Sequence, residues 1–318
     1  MGNYDVVALG ELLIDLTQNG LSAQGNPTLE ANPGGAPCNV LALLSKLGHK
    51  TAFIGKVGQD GFGDQLEAAL VETGISVEGL CRDKAVHTTL AVVHTFADGD
   101  RDFSFYRNPG ADMRLTTEEV NMELIRQANI FHFGTLSMTD EPVRSATYAA
   151  IAEAEKAGIL RSFDPNLRPP LWRTLEEAKE QVLYGLAHCD ILKISDNEIQ
   201  WLTGLEDFDA GIRWIQERFP QIRLILLSMG RDGSRAYTGE TMAQADGFTV
   251  STIETTGAGD TFFGGILHHV LKWGLRDYTQ DELTQMLTFA NAAAAIVTTR
   301  KGALRVMPEE AEIQALMG

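Results

Sequence analysis

The chain has 318 residues and sets 26 Lys and Arg against 43 Asp and Glu, for a formal charge of −17. That balance excludes a general polyanion-binding surface, because nucleic-acid affinity rests on Lys and Arg at phosphates. Apolar content is ordinary for a globular protein, and the length fits two average domains or one large α/β domain. The first residues show no basic segment followed by a long apolar run, so a secretory signal is not expected. No apolar span approaches the length of a membrane helix, and the expected location is the cytoplasm. Cys38, Cys81 and Cys189 are odd in number and scattered, which fits reduced thiols better than a disulfide framework or a zinc site.

Residues 6–9 read as a short buried strand ending in Gly10-Glu11, and residues 12–16 continue apolar around Asp15. An isolated buried carboxylate is costly without a partner, so Asp15 lies at the surface or bonds to backbone or to a ligand. Asn32-Pro33-Gly34-Gly35-Ala36-Pro37 is a turn cluster that leads into an apolar helix over 38–47, ended by Gly48. Residues 51–58 form the next strand, and a helix follows over 64–73. Such alternation signals parallel βαβ units. Residues 88–96 and 101–106 break the rhythm, being β-rich and meeting at Asp98-Gly99-Asp100 as a hairpin. Such a hairpin belongs either to a sheet edge or to a separate flap; with further strands from 17–31 it could make a small β layer, a lid formed by about 17–31 and 86–108 that would keep water from a catalytic crevice.

The alternation then resumes, with helices predicted near 117–128 and over 141–157 and strands over 130–133 and 159–163. A helix near 175–187 precedes a strand over 191–194, and Ser195-Asp196-Asn197-Glu198 opens a helix that stops at Gly204. After a helix over 208–219, residues 224–227 make a fully apolar central strand, a turn runs from Ser228 to Ser234, and 235–237 begins antiparallel edge strands. Phe248-Thr249-Val250 has the composition of a strand end, and two helices, 258–273 and 281–298, finish the chain.

In open α/β sheets ligands sit outside the carboxyl ends of the strands. Asp15, Gly34, Gly35, Asn166, Arg168, Lys193, Glu198, Gly230, Gly233 and Asp260 all fall just after predicted strand ends, which favours a single active-site rim. Thr255-Thr256-Gly257-Ala258-Gly259-Asp260 is a small-residue turn opening a helix, where free N–H groups and the helix dipole favour phosphate. Asp260 would repel that phosphate, so it either takes a proton from an attacking hydroxyl or caps the helix while the glycines allow close packing. Other chemistries lack their marks: there is no GxxxxGK[ST], no strand followed by GxGxxG and a helix, and no GxSxG. His87, His94 and His268-His269 have no partners at metal-ligand spacing.

Gly34-Gly35-Ala36-Pro37-Cys38-Asn39-Val40, with Leu47-Gly48, Gly55-Lys56-Val57-Gly58 and Asp60-Gly61-Phe62-Gly63, resembles one signature of the ribokinase-like, pfkB-type carbohydrate kinases. Thr255–Phe262 resembles the other, and Asp164-Pro165-Asn166 and Leu202-Thr203-Gly204 extend the resemblance over nearly the whole chain. It implies a three-layer α/β/α fold with a mostly parallel sheet and a small β-rich lid, as one kinase domain over 1–318. It also implies ATP as phosphoryl donor, Asp260 as the base, and the N–H groups of Gly257, Ala258 and Gly259 as an anion hole. Asp15, Gly34, Gly35, Asn39 and Asn166 match substrate-binding positions, and Lys193, Ser228, Gly230, Gly233 and Asn291 match the nucleotide side. Magnesium is implied with ATP, organised by Glu198 through water, and a monovalent cation such as potassium is usual in the family beside Glu254 and Thr256. Two residues depart from the family pattern, Ser195 where Asn is common and Glu254 where Asp is usual.

Phe105-Tyr106-Arg107-Asn108-Pro109 and Asp164-Pro165-Asn166-Leu167-Arg168 look most like fructokinases of bacteria and plants, with the bacterial ones closest. The implied reaction is transfer of the γ-phosphate to the primary hydroxyl of fructose, giving fructose 6-phosphate. 2-Keto-3-deoxygluconate kinases are close relatives in which a guanidinium pairs with the sugar-acid carboxylate. Arg107 and Arg168 could do so here, could neutralise phosphate, or could form lid ion pairs. A non-catalytic sugar or nucleotide sensor on the same fold is the alternative from another class, and the intact Gly-Ala-Gly-Asp tells against it. Lids of the family often pair, so a homodimer through the lid is allowed.

Overall fold

A computed structural model of the protein describes residues 2–95 and 101–318. The chain begins with β1 (Tyr4–Leu9), β2 (Leu13–Leu21), β3 (Pro27–Gly34), α1 (Ala36–Lys46), β4 (Thr51–Gly58), α2 (Gly61–Glu72) and β5 (Ile75–Asp83). Next come β6 (Leu90–Thr95), β7 (Arg101–Tyr106), α3 (Met122–Arg126), β8 (Ala128–Gly134), α4 (Val143–Lys156), β9 (Leu160–Asp164) and α5 (Leu175–Ala187). The remainder is β10 (Ile191–Ser195), α6 (Asp196–Thr203), α7 (Phe208–Arg218), β11 (Leu224–Ser228), β12 (Ser234–Thr238), β13 (Thr241–Ala245), α8 (Ala258–Trp273), α9 (Gln280–Thr298) and α10 (Glu310–Met317).

A nine-stranded sheet has the order β13-β12-β11-β10-β9-β8-β1-β4-β5, parallel except for the β11-β12-β13 edge. Its central parallel strands, such as β4 and β10, are largely buried, which is why they read as apolar runs, while β5 lies at the edge with mixed exposure. Along β1, Val6 and Ala8 join a core with α1, α2, α8 and α9, while Val7 and Leu9 join another with α4, α5, α6 and α7. The molecule is therefore an α/β/α sandwich. A second, four-stranded sheet, β3-β2-β6-β7, stands apart from it. Only three residues, Gly10 to Leu12, separate β1 of the large sheet from β2 of the small one.

Helix α8 lies close to two neighbours because two of its residues lack Cβ. A Cβ on Gly264 would stand 3.1–3.2 Å from Leu43 and the Val40 carbonyl on α1, and one on Gly265 would stand 3.0 Å from Ala290 on α9. Gly264 and Gly265 thus let α8, which the second signature opens, pack closely on α1 and on α9.

Several expectations need correction. Strand β5 was not anticipated, and α10 adds a third helix after the second signature. The single helix near 117–128 is a short 3-10 turn, Thr117–Glu119, followed by α3. Phe248–Val250 is not a strand: Asn291 Nδ2 donates to the carbonyls of Ala245 and Asp246, both at 3.1 Å, and holds the chain off the sheet edge there. Asp15 and Lys193 lie inside β2 and β10 rather than after strand ends. Strands β6 and β7 pair antiparallel as expected, while the Asp98-Gly99-Asp100 turn lies outside the described residues. Cys38, Cys81 and Cys189 are free. Among the described residues no helix is long and apolar enough to cross a membrane.

Candidate active site

The second signature places Gly257 at the N-cap of α8 in the left-handed region, φ 78°, where a Cβ would fall 2.6 Å from the Ala303 methyl. Only glycine fits both the angle and the space. The Ala258 N–H donates to the Thr255 carbonyl at 3.2 Å, so this member of the expected anion hole is engaged locally. Gly259 and Asp260 follow in the first turn, where helix geometry supplies no intrahelical acceptor and the dipole favours negative charge. Asp260 is 9% exposed, and its Oδ2 accepts from Asn39 Nδ2 at 2.8 Å. Burial raises the Asp260 pKa above the ordinary carboxylate value, and the Asn39 bond and the charges of Lys193 and Arg168 oppose that rise.

The first signature faces it. Asp15, on β2, lies against Gly34 of β3, where a Cβ would come within 2.2 Å of Asp15 Oδ2. Gly35, at φ 132°, brings its Cα onto the Glu11 carbonyl, which a Cβ would approach to 2.4 Å. The Glu11 side chain accepts the Ala36 N–H at 2.7 Å and so occupies the start of α1. Burial lifts Glu11 to about 7, with smaller contributions from Asp112 and Asp260. Asp15 is likewise raised to about 7 by burial, then by the charges of Glu254 and Asp260, against the pull of Arg168.

Between these groups Lys193 Nζ stands 3.0 and 3.1 Å from the Asp164 oxygens and 3.3 Å from where a Gly259 Cβ would lie. Although burial acts to lower it, the nearby Asp164, Glu198 and Asp260 carboxylates raise the Lys193 pKa, so the ammonium is kept charged beside the α8 terminus. Glu198 accepts the Ser195 N–H and hydroxyl and the Leu167 N–H, each at 2.8 Å. Burial pushes Glu198 up, but Lys193 and these donors outweigh it and hold the pKa below the usual value. Ser195 therefore works as a capping-box partner where the family pattern has an amide. Asn166 adopts φ 46°, the sole positive φ outside glycine among the described residues, and such outliers cluster at functional sites.

Asp15, Gly35, Asn39, Asn166, Arg168, Lys193 and Glu198 line one cavity of about 530 Å³ with Gly257, Ala258, Gly259 and Asp260. Ser228, Gly230, Gly233, Thr256 and Asn291 line the same space. Gly34 stays outside the lining, packed against the Asp15 carboxylate. Glu254 is buried outside it as well, accepting from the Thr256 hydroxyl at 2.7 Å and the Gly302 N–H at 2.9 Å. Asn291 spends its amide on the protein, since its Oδ1 accepts from Ser234 Oγ at 2.8 Å. Arg107 is the clear misplacement. Its guanidinium is buried and donates to Asp112, Thr139 and the Leu136 carbonyl, and it does not line the cavity.

Glu11, Phe105, Leu136 and Asp196 line the cavity without having been singled out from the sequence. Glu11 had the available signal, because it stands directly beyond the carboxyl end of β1. Phe105 and Leu136 are apolar and carry no chemical mark.

Residues 3–310 match the model of the pfkB family of carbohydrate kinases. "Probable fructokinase-4" of Arabidopsis thaliana is 42% identical, with 98% of this chain and 96% of that protein aligned. "Fructokinase-2" of Solanum lycopersicum is 42% identical over 98% of this chain and 95% of its own. Among solved structures, a fructokinase with bound ATP from Xylella fastidiosa shares 31% identity and superposes with a TM-score of 0.89 over 98% of each chain. A fructokinase from Vibrio cholerae O395, in a form binding fructose, ADP and calcium, is 31% identical with a TM-score of 0.89 over 99% of each chain. The similarity thus runs over nearly the full length of this chain and of these relatives: the chain belongs to the pfkB family of carbohydrate kinases.

Proposed function

We propose that the protein is a fructokinase, one kinase domain with the small sheet as its lid, which moves the γ-phosphate of ATP to the primary hydroxyl of fructose. The observation that carries this reading is Asp260, buried at the first turn of α8 in one cavity with Asp15. Asp15, Asn39 and Asn166 supply polar groups for sugar hydroxyls, and Ser228, Gly230, Gly233 and Asn291 border the nucleotide end. Asp260 takes the proton of the attacking hydroxyl. Negative charge building on the phosphoryl group then meets the N–H groups of the α8 turn and the Lys193 ammonium.

A neutral sugar suits the cavity better than a sugar acid. Arg107 is already paired with Asp112 and does not line the cavity, and acidic side chains outnumber the Lys193 and Arg168 cations on its lining. Magnesium arriving with ATP would neutralise phosphate charge. Such an ion would be carried on phosphate oxygens with Glu198 nearby. A potassium ion beside Glu254 and Thr256 is read from the loop they share, and turnover with sodium replacing potassium tests it. Three free cysteines support a reducing cytoplasm. Leu21 and Tyr106, 65% and 66% exposed on the small sheet, support a homodimer through the lid, which sedimentation tests.

The decisive assay measures ADP release over fructose, 2-keto-3-deoxygluconate, ribose and adenosine. A preference for any acceptor other than fructose overturns the substrate. Asp260→Asn should lose about a hundredfold or more of kcat while still binding nucleotide; unchanged turnover removes Asp260 from the role of base.

A further inference from the structure

One buried cluster joins the small sheet to the cavity wall at two of the four places where the chain crosses between them, before β6 and after β7. The chain enters β6 through Thr89, whose hydroxyl donates to Asp112 Oδ1. It leaves β7 through Arg107, whose Nε donates to Asp112 Oδ2 at 2.8 Å. The two crossings therefore meet on a single carboxylate, and Thr89, Arg107 and Asp112 are all buried. Arg107 then reaches on, with Nη1 to Thr139 Oγ1 at 2.8 Å and Nη2 to the Leu136 carbonyl at 2.9 Å. Leu136 lines the cavity, and so does Phe105, two residues before Arg107 at the end of β7. Gly110 completes the enclosure, since a Cβ there would fall 1.7 Å from the Thr89 hydroxyl oxygen.

We infer that Asp112, Thr89 and Arg107 form a clamp that positions the small sheet, and Phe105 with it, over the acceptor side of the cavity. These are positioning residues, because they act through Phe105 and Leu136. The inference rests on the kinase reading and adds the means by which sugar is favoured over water. When the sugar hydroxyl attacks, the bond from the γ-phosphorus to the bridging oxygen of ADP breaks, a bond to the sugar oxygen forms, and the hydroxyl proton passes to Asp260. When water takes that place, the same bond breaks and inorganic phosphate forms instead. A loosened sheet admits water and leaves the acceptor poorly held. The orientation of a covering element is expected to govern that competition more than nucleotide binding, which involves the other end of the cavity.

The test uses the full-length protein and three variants. Thr89→Val removes one donor to Asp112, Thr89→Ser restores it, and the paired change Arg107→Met with Asp112→Asn removes the clamp without leaving a lone buried charge. For each, ADP release and sugar phosphate formation are measured together, with KM for sugar, kcat, and the affinity for a non-hydrolysable ATP analogue. Thr89→Val and the paired variant should raise the ratio of ADP to sugar phosphate by about threefold or more, with KM for sugar up by about fivefold and analogue affinity within about twofold. Thr89→Ser should return the ratio toward that of the parent. Wild-type coupling and sugar KM in Thr89→Val, or in a folded paired variant, overturns the clamp. If the parent phosphorylates no sugar at all, the kinase reading fails with it; if the parent couples well and the variants do too, only the clamp fails.

Discussion

Asn39 Nδ2 donates to Asp260 Oδ2 across 2.8 Å, so one hydrogen bond joins the two glycine-rich signatures at the reacting carboxylate. The other end of that amide, Asn39 Oδ1, is buried without a hydrogen-bond partner among the described residues. A buried polar atom left in this way is an expected place for a ligand donor. On the proposed reading, Asn39 would orient the base with one atom and offer the other to a sugar hydroxyl.

Its removal should show in the pH profile. A donor on the ionised carboxylate favours the charged form and lowers the Asp260 pKa. Asn39→Ala removes that donor, so the pKa rises and the acid limb of kcat/KM moves to higher pH. kcat/KM at its plateau should fall about ten- to a hundredfold, the worth of one hydrogen bond to a charged group. An unmoved acid limb would show that Asn39 does not act on Asp260.

Gly34→Ala probes the sugar end alone. The new methyl would stand 2.2 Å from Asp15 Oδ2, so the carboxylate must move. Sugar KM should rise about tenfold or more with nucleotide affinity unchanged. Equal losses on both substrates would argue for a general disturbance of the fold.

Asp15 also makes stability depend on pH. Its folded pKa, about 7 against an ordinary value of 3.8, means that the folded protein holds this proton where the unfolded chain has lost it. Stability from this group is full below the unfolded pKa and declines as pH rises from about 4 to about 7. Asp15→Asn should therefore be about 1–3 kcal/mol more stable than the parent at pH 8, with the gain fading toward pH 4. Denaturant melts at both pH values measure it, and a gain independent of pH would contradict the linkage.

Lys193 tests the charge balance beside the phosphate. Lys193→Met leaves Asp164 buried without its partner and should cost about 3–5 kcal/mol. Adding Asp164→Asn should recover much of that stability and little of the turnover, since the ammonium beside Gly259 is still missing. If the single variant melts like the parent, the pair is not ionic in the folded protein.

The elements that the sequence declared best are those with one uniform environment. β4 is buried along its whole length, and the predicted 51–58 coincides with it. α5 runs Leu175–Ala187 as expected, because Thr174 caps it on the Glu177 N–H. β5 was illegible because Ile75–Asp83 is an edge strand of mixed exposure, interrupted by Gly79. α10 buries only Ile313, so its apolar stripe is nearly absent. At the site, residues that carry charge or sit at strand ends could be found by type. Arg107 could not be placed, because whether a guanidinium faces a ligand or an internal carboxylate depends on Asp112, five residues away around a turn.

The three-residue passage from β1 to β2 has a wider consequence. It carries Asp15 onto the small sheet, where Phe105 of β7 also lines the cavity, whereas Lys193, Ser228 and the α8 terminus belong to the large sandwich. On the proposed reading, part of acceptor recognition therefore rides on a separate piece of scaffold from the donor machinery, while Asn39 and Asn166 stay with the sandwich. Sequence change confined to β2, β6 and β7 can retune acceptor choice while the donor machinery keeps its geometry, which makes those strands the economical place to look for, or to engineer, a new sugar preference.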